Sequence, residues 1–272
     1  MRTSLRIGLC LLECFSARTF SAEPASGGDS SAELAKKLAN PVSSLISMPF
    51  QFNYDENIGE VDNGERITLN IQPVIPTALN DEWNLISRTI LPVIDQSDIF
   101  PGAGSQSGIG DITQSLFFSP KAPTPGGVLW GVGPVLLIPT ASDELLGSGR
   151  WGAGPTLVAV KQSGHWTYGG LLNHIWSVGG DRDRAAISST FLQPFLSYST
   201  PKAVTYTVNI EGTYDWESSE TGIPLNASMS KVMKIGSLNT SLGASLRYWL
   251  DSTPTGPEGF GLRFTFTMVF PR

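Results

Sequence analysis

Charged and amide side chains stand at every second position of several alternating stretches. This spacing places them together on one face of a β-strand. In the stretch 206–216, Asn209, Glu211 and Asp215 alternate with large apolar residues. Carboxylates and guanidinium groups on one surface either bind a solute of opposite charge or pair with one another and brace the wall. The polar candidates that share this phase along the chain are Asn70, Gln72, Arg88, Asp111, Asn209, Glu211, Asp215, Arg247 and Arg263.

A second set of candidates lies in the middle of the chain, where the positions of the same phase are apolar. Gly131, Gly133, Gly152 and Gly154 stand among them and leave space beside their neighbours. This sector predicts a path or pocket for an apolar or aromatic solute. Two alternatives stay open: the Leu34–Leu38 face of the N-terminal helix docks on this sector as a plug, or a β-bulge shifts the phase and removes the pattern. The apolar candidates are Leu129, Val135, Leu137, Val158, Leu171, Ile175, Phe191 and Phe195.

Signals of catalysis are weak. The two histidines are His165, in a predicted turn, and His174, near the end of a predicted strand. A hydrolase at a membrane interface would require His174 beside a serine such as Ser188, Ser189 or Ser197. The sequence shows neither a metal-ligand cluster nor a phosphate-binding glycine loop. We therefore predict no enzyme activity, no metal and no cofactor, and keep an interfacial lipid hydrolase as an alternative.

Long alternating segments would position all of these side chains. The stretch 206–216 spans roughly eleven residues, about twice the usual length of a strand in a globular protein. About 12 such segments follow Pro41. They lie near 45–54, 65–75, 83–93, 109–119, 128–138, 150–160, 166–177, 190–199, 204–216, 223–232, 238–249 and 259–270.

The connections between these segments alternate in length and charge. Odd-numbered connections are long and acidic, as in 55–64, 94–108 and 139–149, whereas even-numbered ones are mostly short turns with lysine, as in 161–165 and 200–203. Bacterial outer-membrane barrels have short periplasmic turns, long external loops and an even number of strands. The alternation predicts an all-β fold: an antiparallel transmembrane β-barrel of about 12 strands with a short N-terminal helix.

The positions of the aromatic residues indicate that the apolar faces of the strands point toward lipid. All 7 tryptophans stand at or near the end of a predicted segment. Tryptophan collects at membrane interfaces because its ring is apolar and its N–H group requires a polar partner. The last predicted segment, 259–270, ends on an aromatic residue, which is typical of outer-membrane barrels. We therefore expect the polar phase to face a lumen.

The N-terminus predicts export. Arg2 and Arg6 precede an apolar stretch followed by small residues, which is the pattern of a secretory signal. We predict a signal peptide at 1–22, a periplasmic leader with a short helix at 23–43, and the outer-membrane barrel at 44–272.

The predicted helix begins at a capping box. Ser30 and Glu33 have the required spacing, and Asn40-Pro41 ends the helix. Leu34 and Leu38 share one face, which predicts a plug helix that docks inside the barrel.

The formal net charge of −6 excludes a basic footprint, so we expect no nucleic-acid partner.

Stretches of the chain also resemble a known family, among them NIQPVIPTALNDEWNLISRTILPVI at 70–94, GIGDITQSLFFSP at 108–120 and WGVGPVLLIPTAS at 130–142. They resemble the phenol-degradation MetA-pathway family of bacterial outer-membrane transporter-like barrels, over nearly the whole chain after the signal peptide. The resemblance implies an integral outer-membrane location and a transport role.

From these patterns we predict a channel or transporter for passive or facilitated uptake of small solutes, apolar or aromatic compounds among them. The expected partners are outer-membrane lipid, a small-molecule solute and the barrel-assembly machinery. The main alternative is a non-conducting structural or adhesion barrel of the envelope, whose lumen would be filled by side chains and the helix.

Overall fold

The computed structural model describes residues 30–270. The predicted signal peptide at 1–22 lies outside the described residues. One helix and a single sheet of 15 β-segments make up the fold. The elements are α1 (Ser31–Leu38), β1 (Ile46–Ile58), β2 (Gly64–Ile71), β3 (Val74–Ala78), β4 (Trp83–Ser97), β5 (Ser105–Ile109), β6 (Ile112–Pro120), β7 (Val128–Ile138), β8 (Arg150–Ser163), β9 (Trp166–Gly180), β10 (Ser188–Ser199), β11 (Val204–Ile210), β12 (Gly212–Asp215), β13 (Glu220–Ile235), β14 (Leu238–Asp251) and β15 (Phe260–Phe270).

The sheet closes on itself. The first segment, β1, pairs antiparallel with β2 and also with the last segment, β15. Three barrel strands are interrupted, so that β2 continues into β3, β5 into β6, and β11 into β12. The result is a closed 12-strand antiparallel β-barrel, which confirms the predicted fold class. Closure leaves no free edge, which satisfies the backbone groups of all strands inside the sheet. Among residues 30–270, no helix is both long enough and apolar enough to span a bilayer.

Several strands extend further than the sequence predicts. β1 continues to Ile58, β4 continues to Ser97, and β13 begins at Glu220. These extensions lie beside the long loops and are rich in polar residues, so the alternation of apolar residues ends before the strand does. The ladder continues there, as the register of Glu65 with Ser97 shows.

The apolar phase faces outward. On β15, the side chain of Phe264 is 56% exposed whereas that of its neighbour Arg263 is 6% exposed. On β11, Tyr206 is 51% exposed and Thr205 is 7% exposed. The stretch 206–216 therefore presents its large apolar residues on the outer surface and its polar residues toward the lumen.

One tryptophan does not belong to the outer surface. Trp249 shares the phase of the buried Arg247, and its Nε1–H donates to Asp55 Oδ1 at 3.0 Å. The interpretation of all 7 tryptophans as one membrane belt is therefore wrong for Trp249. Its N–H group donates to a buried carboxylate in the lumen. The position of a tryptophan near the end of a strand does not reveal such a partner.

The helix α1 lies inside the barrel at the end with the short turns. Its capping box is formed as predicted: the Ser30 hydroxyl accepts from the Glu33 N–H, and the Glu33 carboxylate accepts from the Ser30 N–H. Leu34 and Ala35 are buried and pack against the inward side chains of Val232 and Val269. The helix face with Leu34 therefore docks on the wall near β13 and β15.

Candidate functional site: a charged lumen with two adjoining cavities

Two cavities occupy the interior of the barrel. The first, here called the arginine cavity, has a volume of about 280 Å³ and is lined by Arg88, Arg247, Arg263, Asp55 and Glu211, among others. The second, here called the helix cavity, has a volume of about 350 Å³ and lies between the N-terminal segment and the strands. The two share part of their walls, so they are consecutive parts of one lumen. The shared residues are Gln51, Gln72, Arg88, Gln193 and Arg263.

Arg263 is the best-bonded cation of the site. Its Nη1 and Nη2 donate to Oε1 and Oε2 of Glu211 at 2.7 and 2.8 Å, and its Nε donates to Asn53 Oδ1 at 2.6 Å. A parallel pair of charge-assisted hydrogen bonds is the strongest geometry available to a guanidinium group. Arg263 lies on the inward face of β15, and Glu211 lies between β11 and β12.

Arg247 forms a second group with residues of β1. Its Nη1 donates to Asn53 Oδ1 at 3.1 Å and to Asp55 Oδ2 at 3.3 Å. The guanidinium carbon lies 5.3 Å from the ring centroid of Trp249, within the range of a cation–π contact. Its Nε atom is buried and has no hydrogen-bond partner in the described part of the chain.

Arg88 differs from the other two arginines. Its Nη2 donates to Gln72 Oε1 at 3.1 Å, and Gln72 donates to Gln51 Oε1 at 3.0 Å. Within residues 30–270, no carboxylate forms an ion pair with Arg88. Arg66, on the same inner face, likewise bonds to an amide, with its Nε donating to Gln96 Oε1 at 2.8 Å.

Most predicted polar candidates line the two cavities. Asn70, Gln72, Arg88, Glu211, Arg247 and Arg263 line the arginine cavity. Asn209 lines the helix cavity, where it accepts a hydrogen bond from Asn226 at 2.8 Å.

Two predicted polar candidates act elsewhere. Asp111 accepts from the backbone N–H groups of Ala141 and Ser148, so it holds the loop 139–149. One extra residue lies between β5 and β6 in their pairing with β4. Asp111 lies at this bulge and faces the loop. Asp215 accepts from the N–H groups of Glu217 and Ser218 and closes the turn after β12.

The apolar sector is largely a packed core. Val158 and Leu171 are buried in one cluster with Val42, Ile86 and Phe117, and Val135 is also fully buried. The residue that enters this cluster from the N-terminal segment is Val42, whereas Leu34 and Leu38 dock elsewhere. The predicted docking of the Leu34–Leu38 face on this sector is therefore wrong, because the chain turns after α1 and presents Val42 instead.

The remaining apolar candidates lie at the edge of this core. Leu129, Phe191 and Phe195 pack against it. Phe191 lines the arginine cavity, and Leu171 and Phe195 line the helix cavity.

Leu137 and Ile175 flank Gly152 instead. A Cβ atom added at Gly152 would lie 2.5 Å from Ile175 Cγ2 and 3.0 Å from Leu137 Cβ. The glycine therefore allows these two apolar side chains to approach, and the space that it leaves is filled by protein.

In the described residues, neither histidine is hydrogen-bonded to a serine hydroxyl. His174 faces outward, and its Nδ1 lies 2.7 Å from the hydroxyl of Thr190, not from a serine. The hydroxyl of Ser197 is bonded to Thr207 in the lumen, on the other side of the wall. His165 Nδ1 lies 2.9 Å from the backbone oxygen of Ser199. Residues 30–270 also contain no group of three or more metal-ligating side chains.

Sequence reasoning missed several contributors to the site, among them the three neighbours of Arg247. Asn53, Asp55 and Trp249 each contact Arg247, yet none was a candidate. Asn53 alternates with apolar residues in the first predicted strand, and this signal could have identified it. Asp55 fell in a predicted acidic loop because β1 extends further than its apolar pattern.

Solved structures show which fold this barrel shares. An outer membrane channel from Pseudomonas putida F1 is similar with a TM-score of 0.67 and 16% sequence identity, over 84% of this chain and 96% of that chain. The β-domain of the Bordetella autotransporter BrkA has a TM-score of 0.50 and 13% identity, over 83% of this chain and 99% of that chain. Neither a family model nor a curated protein matches the sequence. The chain thus has the fold of outer-membrane β-barrels, and its MetA-pathway family assignment stays a prediction.

Proposed function

We propose that this chain is an integral outer-membrane channel that admits small solutes through its lumen by passive or facilitated diffusion. The observation that carries the proposal is the presence of two adjoining cavities along the lumen. The outward apolar phase supports a lipid environment. The fold shared with an outer membrane channel supports the same class of function. Outer-membrane lipid and the barrel-assembly machinery would be its partners.

Apolar side chains in both cavities support a preference for solutes with an apolar or aromatic part. Phe191 faces the arginine cavity, and Leu171 and Phe195 face the helix cavity. A solute that passes from one cavity to the other contacts this wall on one side and amide or guanidinium groups on the other. Such a lumen favours amphipathic solutes over sugars.

The N-terminal segment would act as the plug. Leu34 and Ala35 anchor it on the wall, and Gln162 Nε2 donates to the backbone oxygen of Lys36 at 2.9 Å. Val42 anchors its other end in the apolar cluster. The segment is not a strand of the sheet, so it can leave the lumen while the barrel stays closed.

The test compares the single-channel conductance of the full-length protein with that of a form that begins at Ser44, both refolded into planar bilayers. We expect rare openings for the full-length protein and a steady conductance for the truncated form. Liposomes that contain the truncated form should also take up benzenesulfonate, a permanently charged aromatic solute, faster than glucose, and protein-free liposomes should take up neither. If neither form conducts or takes up solutes, the non-conducting structural barrel replaces the channel as the conclusion.

A further inference from the structure

Positive charge exceeds negative charge in the wall of the arginine cavity. Three guanidinium groups, those of Arg88, Arg247 and Arg263, face only two carboxylates, those of Asp55 and Glu211. Both carboxylates are engaged, since Glu211 binds Arg263 in two hydrogen bonds and Asp55 accepts from Arg247. Arg88 is therefore the guanidinium group of this wall that has no ion pair in the described chain, and the Glu211 carboxylate acts on it only at longer range.

Donor groups in this wall also lack acceptors. Arg247 is 6% exposed, and its buried Nε has no hydrogen-bond partner among residues 30–270. Arg88 donates only to a neutral amide oxygen. Buried donors without an acceptor are rare because leaving them unpaired is unfavourable. An anion in the cavity would give Arg88 a charged acceptor, whereas the Nε of Arg247 is closed off from the cavity and gains no partner from it.

The remainder of the wall indicates which kind of anion fits. Ile90 and Phe191 provide an apolar side within the same cavity. A fully hydrated inorganic anion would gain nothing from this side, whereas an organic anion could bury its apolar body there. Guanidinium groups match the planar geometry of a carboxylate. The cavity volume of about 280 Å³ suits a small molecule.

We propose that the arginine cavity is a binding site for small organic carboxylates with an apolar or aromatic body. Arg88 holds the carboxylate, and Phe191 and Ile90 hold the apolar part. The inference rests on the proposed channel function for transport, and it names the solute class for that channel. Binding itself requires only the closed barrel, so it can be tested without conduction.

Calorimetric titration of the full-length protein in a neutral detergent provides the first test. The probes are benzoate, its neutral analogue benzyl alcohol, and acetate, which lacks the apolar body. We expect benzoate to bind at least tenfold more tightly than either of the other two. Equal affinity for benzoate and benzyl alcohol, or no binding of benzoate, would overturn the proposal.

Matched variants identify the residues responsible. Arg88→Gln removes the unpaired charge and should weaken benzoate binding at least tenfold. Arg66→Gln removes the same charge from the same inner face but outside the cavity lining, and should change the affinity less than threefold. If both variants weaken binding equally, the effect reflects the general field of the lumen and the assigned site is wrong.

A variant of opposite sign guards against misfolding as an explanation. Glu211→Gln releases Arg263 from its carboxylate and should strengthen benzoate binding, an effect that loss of structure cannot produce.

Failure of the channel proposal can be distinguished from failure of the binding-site proposal. Benzoate binding without conductance would leave the site in place and remove transport, whereas conductance without a preference for benzoate would remove the site.

Discussion

Arg263 and Glu211 form a two-pronged ion pair inside the barrel, with N–O distances of 2.7 and 2.8 Å. Glu211, between β11 and β12, is separated from β15 by β13 and β14, so the pair joins two parts of the wall that are not neighbours in the sheet. Both side chains are nearly buried. The pair thereby fixes the position of two walls of the arginine cavity and determines which of its cations stay available to a solute.

Replacing Glu211 by Gln should destabilise the barrel because it leaves the buried Arg263 without its counter-charge. Removing one partner of a buried pair costs about 3 kcal/mol. The free energy of unfolding, measured by urea titration of the detergent-refolded protein, should fall by about this amount. Glu217→Gln, at an exposed position after β12, is the control and should change it by less than about 0.5 kcal/mol. An equal effect of both variants would show that Arg263 does not depend on the pair.

The sequence predicts the inward face of the site much better than its pairing. Alternation alone assigns Arg263, Arg247 and Glu211 to one phase, because a strand has only two faces. Which of them meet depends on how the sheet closes. Arg263 and Glu211 are 52 residues apart, and no local pattern joins them. The unpaired state of Arg88 is likewise visible only once every carboxylate has been placed.

Local irregularities account for the remaining errors. One extra residue lies between β5 and β6, where Asp111 binds the loop 139–149 and lines neither cavity, and a bulge of this kind leaves no clear mark in the alternation. Polar ends of strands look like loops, which is why Asp55 was assigned to a connection. The capping box at Ser30 was predictable because its two hydrogen bonds depend on residues three apart.

Leu34→Asp should release the plug while the barrel stays folded. Leu34 is 4% exposed and packs in the cluster with Val232 and Val269. Burying a carboxylate there would weaken docking of the helix by on the order of 3 kcal/mol. Single-channel recordings should show more frequent openings, and protease should cleave the segment 39–45. Ser31→Asp introduces the same charge at an exposed position of the same helix and should leave both readouts unchanged.

Arginine substitutions on β15 should report the depth of the outer face in a bilayer. Phe264 lies near the middle of β15 and Phe260 at its start, and both are 56% exposed. An arginine on the lipid face costs about 2–4 kcal/mol at the bilayer midplane and about 0–1 kcal/mol near the interface. Phe264→Arg should therefore reduce the unfolding free energy in lipid vesicles more than Phe260→Arg does. Equal effects would mean that this face does not lie in lipid.

Gly154 permits a close approach of β8 and β9 that a larger residue would prevent. A Cβ atom at this position would overlap the backbone oxygen of His174. The regular register between the strands stops at Ala153 with Trp176 and resumes at Thr156 with Asn173. Pro155, which has no N–H to donate, lies in this gap. The two strands therefore lie close together here without a continuous ladder of backbone pairs.

Gly154→Ala should therefore destabilise the barrel by about 1–3 kcal/mol, because the strands must separate to accommodate the methyl group. Gly179, near the end of β9, is the matched control, since an added Cβ would meet no atom within 4 Å. Gly179→Ala should be neutral or stabilising by a few tenths of a kcal/mol, through reduced freedom of the unfolded chain. Urea titration of the two refolded variants side by side measures the difference. If Gly154→Ala unfolds at the same urea concentration as Gly179→Ala, β8 and β9 have room for a methyl group at this position, and the glycine is not needed for their contact.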